Sequence, residues 1–137
     1  MTTQRGIVTT EDPQSMTLED LDGRWPDPGP DATRLVRTVH RLRRKPLASL
    51  GTEDLRVLMA QQVGVQYVLP SVIDKLRNTP LASGDFYPGD LLIATLRAMG
   101  PDFSAEQRSE LRSIVEWVRK HDYDNAPNEL WPLVTTL

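Results

Sequence analysis

Apolar residues along this 137-residue chain recur every three to four positions, and no stretch keeps up the alternation of a strand. The cleanest pattern is Val65, Val68, Leu69, Val72, Ile73 and Leu76, which fall at i, i+3, i+4, i+7, i+8 and i+11 and predict a central helix. At roughly 1.5 to 3 kcal/mol per fully buried large apolar side chain, that stripe gains on the order of 10 kcal/mol before chain entropy is subtracted. Pro70 interrupts it, and is tolerable only if the regular helix starts within a turn of it.

Four further helices follow from periodicity and end signals. Asp31 is the predicted N-cap of a helix running to about Arg44, with Leu35, Val36, Val39 and Leu42 inward, a basic outer face and Pro46 at its end. After Thr52, Glu53 and Asp54 occupy a first turn, where the macrodipole favours acids; Leu55, Leu58, Met59 and Val63 face inward and Gly64 terminates the helix. Leu91, Leu92, Thr95, Leu96 and Met99 mark another, closed by Gly100 and Pro101. The last begins at Ser104, whose spacing to Gln107 is a capping-box signature, and carries Leu111, Ile114, Val115 and Val118 to about His121. Residues 16–21 predict a single turn capped by Thr17, followed by an extended path through Trp25, Pro26, Pro28 and Pro30 that Trp25 pins down. Pro127 and Pro132 bracket Glu129, Leu130 and Trp131, a short terminal helix that lays Trp131 on the body.

The predicted fold is therefore all-α: a single-domain bundle of five to six helices over residues 16–137, preceded by a flexible arm, 1–15, that is polar and aperiodic. The length suits one domain burying about two thirds of the surface its unfolded form exposes. There is no cysteine, which excludes a disulfide framework and thiolate metal sites and fits a reducing compartment. The N-terminus lacks the apolar run of a secretory signal and no apolar block approaches the length of a membrane span, so the expected location is the cytoplasm, with no membrane partner.

The net charge of −3 is unevenly spread. Acids dominate residues 11–31, whereas Arg34, Arg37, Arg41, Arg43, Arg44 and Lys45 follow without a single acid among them. Because the overall balance is acidic, nucleic acid is not the expected partner of the whole domain. The basic segment nevertheless defines the alternative function, a nucleic-acid-binding helical module; a solvated face and internal pairing with the acidic arm are the other readings of it.

Little here supports catalysis. His40 and His121, the only histidines, lie on different predicted helices and outside any zinc-binding spacing; as an acid–base pair they define a rival hydrolase reading. Asp122, Tyr123, Asp124 and Asn125 begin like a calcium loop, but Pro127 stands where glycine must turn and Leu133 where glutamate must close. None of the seven serines lies in a nucleophile-elbow context. Gly84 and Gly89 are spaced as in a phosphate-binding loop, yet Asp90 takes the lysine position and repels phosphate. Neither metal nor cofactor is implied.

The most informative stretch is PLASGDFYPGDLL, residues 80–92. Pro88 and Gly89 set a type II corner, Asp90 can cap the helix starting at Leu91, and Phe86 and Tyr87 are held at a defined point. Such aromatics either wedge a loop onto the core or form an exposed aromatic and acidic patch.

Together with TLEDLDG (17–23), PDATRLVRTVHRLRRKPL (30–47) and TEDLRVLMAQQVGVQYVLP (52–70), this stretch resembles the immunity proteins of bacterial contact-dependent growth inhibition (CDI) systems. The resemblance covers most of residues 17–99. It implies a protein without enzymatic activity that binds and neutralises the toxic C-terminal domain, frequently a nuclease, delivered by a neighbouring cell. Candidate toxin-binding residues are Glu53, Asp54, Asp85, Phe86, Tyr87 and Asp90 around the loop, or Asp122, Asp124 and Glu129 in the tail. Residues that mark a family often hold its fold, so loop and tail both stand as the interface.

Overall fold

Residues 13–135 and 137 are described by the computed structural model. Their regular elements are helical, with one isolated antiparallel bridge between Ser83 and Pro88, so the fold is all-α. Five helices of eight residues or more and two of five residues stand where the periodicity predicts five to six. The chain divides between Leu50 and Gly51 into two compact units. Of the arm expected over 1–15, only Pro13–Ser15, a 3-10 turn, lies within the described residues.

In the first unit, α1 (Leu18–Asp22) is capped by Thr17, with Asp20 returning the bond as a capping box. The second helix, α2 (Arg34–Leu42), departs from the pattern at both ends. Its cap is Thr33, not Asp31: the Thr33 hydroxyl accepts from the Val36 amide at 3.2 Å, while the Ala32 amide turns back to the Gly29 carbonyl at 3.0 Å. The buried stripe is Val39, Leu42 and Arg43, and Leu35 and Val36 stay exposed.

Arg43, expected on the basic face, is 1% exposed. Its guanidinium donates to the Gly23 carbonyl at 2.6 Å, lies 3.8 Å from the Asp22 carboxylate and sits 4.0 Å from the Trp25 ring centre. Trp25 pins the Pro-rich path by covering that cation. Arg44 pairs with Glu19 and Asp27, so the acidic N-terminal segment does neutralise part of the basic run.

The second unit holds α3 (Thr52–Ala60), α4 (Val65–Asn78), α5 (Asp90–Arg97), α6 (Ala105–His121) and α7 (Leu130–Val134). All six apolar positions of the cleanest stripe are buried, and α4 packs against α3, α5 and α6. The most enclosed helix is α5, buried continuously from Asp90 to Leu96, because Ile93 and Ala94 complete an apolar surface all round. It lies against α3, α4 and α7. Gly64 does not end α3. Gln62 at φ 54° does so, with the Val63 amide reaching the Leu58 carbonyl at 2.9 Å in a Schellman closure, and Gly64 begins α4. Pro70 lies more than a turn inside α4 on its exposed side. The Ser104 and Gln107 capping box forms as the spacing predicts.

Candidate functional site

Tyr87, Pro88, Gly89 and Asp90 make a type II turn: Gly89 has φ 91° and ψ 0°, and the Asp90 amide donates to the Tyr87 carbonyl at 3.1 Å. Positive φ alone favours glycine there, and a Cβ would also stand 2.9 Å from Pro127 Cδ. Asp90 is not the N-cap. Gly89 fills that place, and Asp90, 3% exposed, turns its carboxylate back into the loop. It accepts from the amides of Gly84 at 2.6 Å, Phe86 at 3.1 Å and Tyr87 at 3.4 Å. The donors preceding the helix thus occupy the oxygens that a cap offers to the donors inside it.

A second carboxylate reaches the loop from α3. Glu53 accepts the Asp85 amide at 2.8 Å and binds Arg56 bidentately, Nε at 2.7 Å and Nη2 at 2.6 Å. The hydrogen bond from Arg56 is the main reason that the Glu53 carboxyl is held below its usual range, and the same pairing raises Arg56. Arg56 Nε also stands 4.0 Å from Asp90, and its guanidinium lies 4.4 Å from the Phe86 ring centre. Phe86 is 69% exposed, so a large ring is presented to solvent on a charged, bonded base.

The tail meets this loop. Tyr87 Oη donates to Glu129 at 3.4 Å, and burial foremost, then the Glu129 charge, raises the Tyr87 hydroxyl above its ordinary pKa. One face therefore gathers Glu53, Asp85, Phe86, Tyr87, Asp90 and Glu129. The other candidates are placed differently. Asp54 accepts the Gly51 amide at 3.0 Å at the start of α3, and Asp122 accepts from Asn125 in the 3-10 turn Tyr123–Asn125, which also holds the exposed Asp124. Beside the loop, Arg56, Met59, Phe86, Tyr87, Asp90 and Arg97 contribute to a cleft of about 330 Å³. A search for acids alone overlooks Arg56 and Arg97; the i, i+3 spacing of Glu53 and Arg56 is the signal that finds the first.

The face offers shape, aromatic surface and charge. His40 meets Trp25 edge-on at 5.5 Å, and His121 stacks on Trp117 at 4.9 Å, each ring engaged within its own unit. Among the described residues no group of three or more metal-ligating side chains gathers, and no helix is long and apolar enough to cross a membrane.

A family model of CDI immunity proteins matches residues 20–114, and the chain belongs to that family. The match runs through both units, includes the whole loop and extends beyond residue 99 into α6, while the end of α6 and α7 lie outside it. A comparison with curated proteins finds no match.

Proposed function

We propose that this protein binds and neutralises the C-terminal toxin domain of its cognate CDI system, a nuclease in the reading favoured here, in the cytoplasm and without a reaction of its own. Residues 16–137 act as one immunity domain, a reading supported by a family match that crosses the boundary at Leu50. The observation that carries this reading is the approach of loop and tail, with Tyr87 Oη 3.4 Å from Glu129, so that the loop candidates and one tail candidate lie side by side. Asp85, Phe86, Tyr87 and Glu129 form its outer part; Glu53 and Asp90 are the internal braces.

Phe86 is the anchor, because an exposed aromatic ring on a fixed base suits a hot spot. The exposed acids Asp85 and Glu129 steer a cationic partner and speed encounter, an effect that fades with salt. An interface of about 1,600 Å² is within reach of a chain this size.

The test expresses the C-terminal domain encoded by the adjacent upstream reading frame with and without this protein, then measures the affinity of the purified pair. Rescue of growth is expected, and Phe86→Ala should weaken binding at least about 30-fold, the equivalent of roughly 2 kcal/mol, with an unchanged urea midpoint. A neighbour that is harmless, or that still kills when both are made, removes the proposal. Unchanged affinity in a variant carrying both Phe86→Ala and Asp85→Asn moves the interface elsewhere.

A further inference from the structure

The face proposed to meet a cationic toxin carries a cation of its own. Arg97, exposed in the last turn of α5, lines the cleft of about 330 Å³ between α3, α5 and the loop. The other charges of that cleft are committed. Asp90 accepts the Gly84, Phe86 and Tyr87 amides, and Arg56 sets Nε and Nη2 on Glu53. Arg97 has no hydrogen-bond or ion-pair partner among the described residues.

Charge and shape together select an occupant. The lining holds two cations, Arg56 and Arg97, against one acid, Asp90, and the exposed acids Asp85 and Glu129 are not among its residues, so it favours a negative group. Met59, Ile93 and Ala94, all buried, give it an apolar wall to which the Phe86 and Tyr87 rings add. Its volume lies near the lower limit of small-molecule sites, about 300 Å³, and suits one inserted side chain. A purely apolar side chain would take water from Arg97 and return nothing to the guanidinium, a loss that a carboxylate avoids. A lysine or arginine would meet like charge.

We propose that this cleft receives one acidic side chain of the toxin domain, its stem against Met59, Ile93 and Ala94 and its carboxylate on Arg97. This rests on the toxin-binding reading above and gives the contact surface both signs. The outer acids speed encounter, while Arg97 fixes register and rejects a toxin that brings a cation to the same place.

Surface plasmon resonance of the toxin domain encoded upstream, over the immobilised full chain, separates the two roles. Arg97→Gln should raise koff about 30-fold and leave kon within about 2-fold, whereas Asp85→Asn lowers kon. Ala60→Phe, at an exposed position of the cleft lining, should plug the cleft and weaken binding to a similar degree. Urea midpoints equal to that of the native chain exclude unfolding as the cause. In an Arg97→Glu background, changing one Asp or Glu of the toxin domain to Lys should restore affinity at least about tenfold. Unchanged or tighter binding of Arg97→Gln, the result for a partner that is cationic throughout, overturns the proposal and leaves the Phe86 interface standing. So does weakening by Ala60→Phe with indifference to Arg97→Gln, which makes the occupant apolar, and so does failure of every acid reversal to restore binding. A native pair that does not associate removes the toxin reading and this proposal with it.

Discussion

Replacing Asp90 by alanine removes the acceptor of three of the loop's amides, and the size of the loss follows from those partners. The Gly84 and Phe86 amides, at 2.6 and 3.1 Å, lose their acceptor, at about 1 to 3 kcal/mol for each donor left buried and unpaired. The Tyr87 amide at 3.4 Å is near the limit of a bond and adds little. Arg56 keeps Glu53 and loses only a carboxylate at 4.0 Å. The loop is partly open, so water recovers some of the loss and the lower half of the range applies: about 2 to 4 kcal/mol, or roughly 6 to 12 °C in Tm. Asp90→Asn, which keeps the shape and one carbonyl oxygen, should lose about 1 to 2 kcal/mol. Urea unfolding followed by circular dichroism measures the stability, and hydrogen exchange at Gly84 and Phe86 reports the loop. A loss under about 1 kcal/mol for the alanine variant, with exchange at those two amides unaltered, would refute the reasoning.

Other substitutions test neighbouring parts of the argument. Gly84→Ala drives a methyl group against the Glu53 carboxylate and that of Asp90, and should cost about 1 to 3 kcal/mol in urea unfolding. Because Arg56 depresses the Glu53 pKa, the stability it supplies is present above the unfolded value of 4.5 and disappears as pH falls through the folded one; the gap between the native protein and Glu53→Gln should therefore shrink on acidification below that value, as urea midpoints across pH will tell. Pro70→Ala restores an amide donor inside α4 and should stabilise by about 1 to 2 kcal/mol after the more flexible unfolded chain is allowed for. Leu69→Ala, at a fully buried position of the same helix, should cost about 2 to 5 kcal/mol by the same assay.

The helices were legible because burial imposes its period directly on sequence, as the stripe from Val65 to Leu76 demonstrates. Their ends were less so. Asp31 and Thr33 are both good caps, and only the Gly29–Ala32 turn decides between them; likewise Gly64 has the positive φ expected of a terminator, but Gln62 adopts one two residues earlier. Arg43 misled because a run of cations looks solvated, while its burial depends on Trp25 and the Gly23 carbonyl, about twenty residues away in the chain. The same limit applies to the candidate site. GDFYPGDLL revealed the turn and its aromatics, which are local, but not that Glu53 supports the loop from 32 residues away or that Glu129 touches it from 42.

A loop stitched to a helix enclosed from Asp90 to Leu96 arrives at any encounter already in shape. Its conformational freedom was surrendered when the chain folded, so association has little left to immobilise at Phe86 and its neighbours. In the proposed complex with a toxin domain, lifetime is then set by how slowly two finished surfaces come apart.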